Sequence, residues 1–174
     1  AATYEAGLYF WTENGFKKQT SAAFEKDKAY EDLDALIFDA NGNGHNDIYV
    51  VSGGNEFDPD SEMLQDRLYI NDGKGNFTRN LNALPKMHDS GSKVYKADFD
   101  KDGKEELLVL GRLVPGNYPK PANSYILKNN SKNGKVSFKD VTQSVAPLLQ
   151  SLGMATSAEI VDFDNDGWQD IIIV

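Results

Sequence analysis

Cysteine is absent from the 174 residues, and histidine occurs only twice, at His45 and His88. No disulfide framework, thiolate metal site or cysteine nucleophile can therefore exist here, and imidazoles are too few for a zinc or copper cluster. The missing thiols leave the compartment open. No apolar run approaches the roughly 18 residues of a spanning helix, so no membrane insertion is expected; Ala1 to Phe10 carries neither a basic leader nor an apolar signal core. Basic residues are also scarce, 18 Lys and Arg against 27 Asp and Glu, giving a formal net charge of -9. Such a surface repels phosphate backbones, which argues against nucleic acid and in favour of cations. The remaining composition, 40% hydrophobic with 15 Gly and 6 Pro, suffices for one globular core.

The acidity is concentrated. Three nine-residue segments share one pattern: Asp39-Ala-Asn41-Gly-Asn43-Gly44-His45-Asn-Asp47, Asp98-Phe-Asp100-Lys-Asp102-Gly103-Lys104-Glu-Glu106 and Asp162-Phe-Asp164-Asn-Asp166-Gly167-Trp168-Gln-Asp170. Oxygen-bearing side chains occupy positions 1, 3, 5 and 9, with Gly at 6. Ten of the 27 acids stand at these positions, two in the first segment and four in each of the others. The other 17 acids balance the 18 bases, so the excess negative charge is local to the three segments.

Alternate residues of a tight loop point inward, so oxygens at 1, 3 and 5 converge while Gly at 6 permits the sharp turn. The carbonyl at 7, from His45, Lys104 or Trp168, adds a ligand, and the carboxylate at 9 closes the shell. Hard oxygens select calcium over softer metals, and magnesium would demand a stricter octahedron. Up to three calcium ions are expected, the first loop binding most weakly because Asn41 and Asn43 halve its carboxylates. The competing reading is a hydrated acidic turn, which Asp, Asn and Gly also favour. An EF-hand would need a bidentate Glu at position 12 and flanking helices. Position 12 is Val50, Val109 or Ile173, inside runs of strand formers, Ile48 to Val51, Leu107 to Leu110 and Ile171 to Val174. Leu33 to Phe38, Val94 to Ala97 and Ala158 to Val161 read as the strands that enter the loops.

The first aspartates fall at 39, 98 and 162, at intervals of 59 and 64 residues. A hairpin repeats in step: Leu8-Tyr9-Phe10 to Gly15-Phe16, Leu68-Tyr69-Ile70 to Asn76-Phe77, and Tyr125-Ile126-Leu127 to Ser137-Phe138. Asn14-Gly15, Asp72-Gly73, Gly75-Asn76 and Asn133-Gly134 provide its turns. One unit is therefore two hairpins, four short antiparallel strands, as in a propeller blade. The phrases Ala97-Asp-Phe-Asp-Lys-Asp-Gly103 and Val161-Asp-Phe-Asp-Asn-Asp-Gly-Trp-Gln-Asp170, with the hairpin at 68 to 77, resemble FG-GAP/VCBS repeats, the β-propeller repeats similar to the integrin α-subunit head. That resemblance implies an all-β fold, a partial β-propeller of four-stranded antiparallel blades. It also implies a calcium-binding interaction module outside the cell, whether extracellular, periplasmic or at the cell surface, with a protein or glycan ligand. Carried over residue by residue, it assigns the third loop fully, the second with Glu106 at position 9, and the first with the two Asn substitutions.

The phase of the repeat gives a half blade at 1–20, full blades at 33–80 and 93–140, and a half blade at 157–174. Fewer than about 4 blades do not close. Either the sequence is part of a longer propeller, or chains complete one another, with the last strand pairing to Leu8–Phe10 of a neighbour and two chains forming a six-bladed ring. Open apolar edges favour self-association in either case.

The calcium loops belong to one face of such blades. The connectors 52–66, 80–92, 111–123 and 142–156 belong to the other, where Phe57, Tyr118, His88, Arg112 and Lys120 could meet a ligand. The plainer expectation is that Phe57 and Tyr118 pack their own loops. No catalytic residue is identified, because His45 faces solvent and His88 has no convincing partner. The protein is read as a binding module, the alternative being a domain of a calcium-dependent polysaccharide lyase or hydrolase. Tyr9, Phe10, Trp11, Tyr69, Phe77 and Phe138 are expected between blades and Phe99 and Phe163 beneath the metals. Trp168 is expected on the lower face.

Overall fold

The computed structural model describes residues 7–174; residues 1–6, assigned above to the first half blade, lie outside the described residues. The fold is all-β with only short helical turns. Two strands, β1 (Leu8–Thr12) and β2 (Gly15–Gln19), form the first hairpin, and a five-residue helix α1 (Ala22–Lys26) follows. A four-stranded antiparallel sheet then runs in order β3 (Glu31–Phe38), β4 (Asp47–Gly53), β5 (Arg67–Asn71), β6 (Phe77–Arg79). The second is built identically from β7 (Ser90–Ala97), β8 (Glu106–Leu113), β9 (Tyr125–Asn129) and β10 (Phe138–Asp140). After α2 (Thr142–Val145), β11 (Ala158–Val161) pairs with β12 (Asp170–Ile173). Two complete four-stranded sheets thus stand between two two-stranded ones, in an unclosed, partial propeller-like array.

Strand alternation explains why the sheets stack. All of β4 is buried: Tyr49 and Val51 join the cluster shared with β7–β10, while Ile48 and Val50 face Phe24 and Leu8. Along β8, Leu107 and Val109 point back into the first of these clusters, and Leu108 and Leu110 point forward to Ala158, Ile171 and Ile173. Each central strand therefore presents apolar side chains to both neighbours, which is why these segments read as continuous rather than alternating hydrophobic runs. Polar bonds reinforce the stacking: Val94 N–H donates to Asp34 Oδ2 at 3.0 Å, and Ala158 N–H to the Tyr95 hydroxyl at 2.9 Å.

Several details differ from the sequence reading. The hairpin β9–β10 is displaced by one residue, because Leu107 pairs with Leu127 where Ile48 pairs with Tyr69. The equivalent of Leu68-Tyr69-Ile70 is thus Ile126-Leu127-Lys128. Tyr69 and Phe138 are buried and Phe77 partly so, but Tyr9, Phe10 and Trp11 are exposed. Trp11 packs edge to face on Phe16 at 5.1 Å. Tyr9 and Tyr69 hold equivalent places in their hairpins; what β1–β2 lack among the described residues is the strand pair on which β5 and β9 lie.

Candidate metal centres

The three acidic segments connect β3 to β4, β7 to β8 and β11 to β12, on one face of the array. They share a set of hydrogen bonds. The position 1 carboxylate accepts backbone N–H groups from positions 5 and 6: Asn43 (3.1 Å) and Gly44 (2.7 Å) for Asp39, Asp102 (3.0 Å) and Gly103 (2.9 Å) for Asp98, Asp166 (3.1 Å) and Gly167 (2.9 Å) for Asp162. Side-chain oxygens at 5 accept from position 7, at 2.8 Å for His45, 2.9 Å for Lys104 and 2.8 Å for Trp168. Gly44, Gly103 and Gly167 have φ of 83°, 84° and 89°, as the turn requires. Position 4 is also left-handed, at Gly42, Lys101 and Asn165, a demand that sequence spacing did not reveal.

The carboxylate at 9 locks each loop to its sheet. Asp47 accepts Ala40 N–H at 3.0 Å with one oxygen and Asn71 N–H, from β5, at 2.8 Å with the other. Glu106 accepts the Phe99 N–H at 3.1 Å with its Oε2 atom, the counterpart of the Ala40 bond. Asp170 keeps the loop bond, from Phe163 at 2.8 Å, and has no third strand beside it among the described residues.

In two loops the oxygens converge as a cation would require. Carboxylate oxygens of Asp98, Asp100 and Glu106 lie within 4.8 Å of one another, as do those of Asp162, Asp164 and Asp170. Glu106 is buried, and its Oε1 has no hydrogen-bond partner. Burial and the Asp100 charge push its carboxyl above the ordinary range despite the nearby Phe99 and Asn129 amides. A buried oxygen without a donor, facing other carboxylates, fits a cation ligand. Lys128 supplies part of the balancing charge: its ammonium bonds Asp100, holding that carboxyl below the usual range, and lies 3.5 Å from Asp102. The first loop has fewer anionic oxygens. Burial pushes Asp39 up, but the amides of Gly44, Asn43, Gly42 and Asn41 outweigh it and hold it low. Asn41 and Asn43 serve there as acceptors for backbone N–H groups.

The remaining loop residues fall as follows. His45 is exposed, its ring leaning over the Gly73 turn. Trp168 is half exposed on the loop face, and the Lys101 ammonium sits 3.8 Å above its ring, a cation–π contact joining the second and third loops. Phe99 packs partly buried beside Leu108, whereas Phe163 is 73% exposed, contrary to its expected place beneath the metal. Position 2 faces the next sheet in the array: Ala40 meets β7–β10, Phe99 meets β11–β12, and Phe163 has no next sheet among the described residues.

On the opposite face, four connectors meet around a polar cleft of about 310 Å³, lined by Asp60, His88, Asp89, Lys120, Asn123 and Ser151 among others. Asp89 Oδ2 is fixed there by Asn123 Nδ2 (2.8 Å) and the Tyr125 hydroxyl (3.0 Å). The His88 Nε2 atom is buried without a hydrogen-bond partner. Arg112 borders a separate cleft, and Phe57 folds over Gly54 in its own connector. Tyr118, in contrast to the packing expected for it, is exposed.

Comparison with known proteins agrees with this architecture. The FG-GAP-like repeat model matches residues 39–109, which contain the first two loops and strands β4 to β7. Cartilage acidic protein 1 of Mus musculus is 30% identical over 109 residues, 62% of this chain. The aligned region is 15% of that protein's length, so the chain corresponds to a small part of it. Residues 39–109 are therefore similar to an FG-GAP-like repeat. No helix among the described residues is long and apolar enough to cross a membrane.

Proposed function

We propose that this FG-GAP-like chain is a calcium-stiffened, non-catalytic propeller module that presents its connector face to a protein or glycan outside the cell. The observation that carries the metal assignment is Glu106 Oε1, buried, unpartnered and clustered with Asp98 and Asp100. Asp98, Asp100, Asp102 and Glu106, with the Lys104 carbonyl, would hold one ion; Asp162, Asp164, Asp166 and Asp170, with the Trp168 carbonyl, a second. Asp39, Asn41, Asn43 and Asp47, with the His45 carbonyl, would hold a third and weaker one. Bound calcium supplies positive charge that relieves carboxylate repulsion and fixes the link between the first two strands of each repeat. The polypeptide contributes the preformed part: backbone amides already orient the position 1 and position 9 carboxylates.

An extracellular setting suits loops with two to four carboxylates and no bidentate closing Glu at position 12, a donor set matched to millimolar calcium. The binding role rests on the connector cleft, where charged and amide side chains from four separate segments converge over a rigid sheet array. Calorimetric titration with calcium, followed by melting in calcium and in EDTA, tests the metal assignment. Occupancy at a hundredfold excess over the dissociation constant adds about 2.7 kcal/mol per site. Asp164→Ala and Asp100→Ala should each remove one site and lower melting in calcium, and Asn41→Ala should do less. Equal melting of the wild type with calcium and with EDTA would refute calcium as a structural ligand.

A further inference from the structure

The geometry points to Lys128 as a cation built into the second loop: it holds Asp100 and Asp102 together without metal, and calcium has to displace it. This rests on the calcium assignment proposed above and concerns what sets the affinity of that one site. The oxygens carry the inference. Asp100 Oδ1 accepts the Asp102 N–H at 3.3 Å and Asp102 Oδ1 accepts the Lys104 N–H at 2.9 Å, so the backbone takes one oxygen of each carboxylate. The other oxygen of each faces Lys128, whose ammonium bonds Asp100 Oδ2 and lies 3.5 Å from Asp102 Oδ2. A metal ion drawing on these two oxygens meets a positive charge already among them, and two cations so close repel. An ammonium has three donors and no acceptor, so it cannot join the oxygen shell that calcium requires. Its flexible stem, with the side chain 34% exposed, gives it a way out to solvent.

The sheet shows that this lysine serves the loop and not the strand. In the pairing of β9 with β10, Lys128 stands directly opposite Lys139, and like charges so placed destabilise a ladder. The corresponding pair in the first four-stranded sheet is Ile70 opposite Thr78, and Ile70 packs on the cluster shared by the two sheets. Asp100 and Asp102 are what offset the loss of that apolar contact and the repulsion from Lys139. The first loop has no use for such a cation. Asn41 and Asn43 each accept a backbone N–H with Oδ1, and the other terminal atom of each is a donor nitrogen. The lysine thus accompanies the carboxylates, not the repeat.

NMR of backbone amides during calcium titration of the full chain reads each loop through its position 6 glycine, Gly103 for the second and Gly44 for the first. Lys128→Met keeps a long stem and removes the charge. It should lower the calcium concentration at the Gly103 midpoint by about tenfold or more and leave the Gly44 titration unchanged. A Gly103 midpoint that stays the same or rises overturns the inference. In EDTA the variant should melt below the wild type, because Asp98, Asp100, Asp102 and Glu106 lose their internal counter-charge. Its gain in melting temperature on adding calcium should exceed that of the wild type. A lysine with a merely structural role would lower melting equally in both conditions, and that result also counts against displacement. Should Lys128→Met fail to fold, the wild type carries its own test. With the lysines dimethylated with carbon-13, the Lys128 signal, assigned by its loss in Lys128→Arg, should move in step with the Gly103 amide; a stationary signal refutes displacement. Failure of the calcium assignment looks different: neither protein then shows a Gly103 response, and both readings fall together.

Discussion

Asp66 is a carboxylic acid in a place that discourages charge. It is buried between β4 and β5, where it accepts the Tyr49 hydroxyl at 2.6 Å and Ser52 N–H at 2.8 Å, and burial pushes its pKa from 3.8 up to about 7 despite these donors and nearby Arg67. The folded state therefore holds the proton more tightly than the unfolded chain. The stability this gives is complete below pH 3.8 and is lost as pH rises through about 7. Measured in EDTA, so that calcium ligands do not intervene, the stability gap between wild type and Asp66→Asn should shrink by on the order of a few kcal/mol between pH 4 and 7, then level off. A gap that is flat with pH would show that Asp66 is ionised throughout. Sequence reading did not single out Asp66, because nothing local distinguishes it from a surface acid; its burial comes from Tyr49, 17 residues away.

Elements are limited by how closely their backbones approach. At Gly111 in β8, an added Cβ would lie 2.0 Å from the Asn123 carbonyl oxygen, a backbone atom that cannot swing aside. Gly111→Ala should therefore cost about 1–3 kcal/mol in chemical denaturation, as overpacking does. Gly103 offers the opposite case, with open space around it but φ of 84°. There Gly103→Ala should cost about 1–2 kcal/mol through backbone strain alone. If repacking rather than strain governs the loops, Gly103→Ala will be neutral. The Gly at position 6 was legible from the motif; the need for Gly at 111 was not, since it depends on a connector that returns against β8.

The whole array is held by clusters shared between sheets. Leu107 lies in the cluster common to both four-stranded sheets, together with Phe38, Tyr49 and Phe138. Leu107→Ala should cost about 2–5 kcal/mol, and because neither sheet can keep this core alone, both should melt in one transition. Scanning calorimetry resolving two separate transitions would show independent blades. The contrary response is predicted on β3 for Ile37→Ser, which should leave the stability within about 0.5 kcal/mol because the residue is half exposed there.

The sequence by itself determined the local chemistry: the loops at 39–47, 98–106 and 162–170, their glycine turns, the strands around them and the two hairpins of each repeat. These depend on short-range rules, the turn conformations open to Asp, Asn and Gly and the strand preference of β-branched and aromatic residues, which act within a few positions. Tertiary structure alone decided which side chains found a neighbour. Tyr69 and Tyr9 have equivalent places in the repeat, as do Phe99 and Phe163, yet one of each pair is covered and the other exposed. Burial is a property of the adjacent sheet, and no residue's own neighbours in the chain report whether that sheet is there.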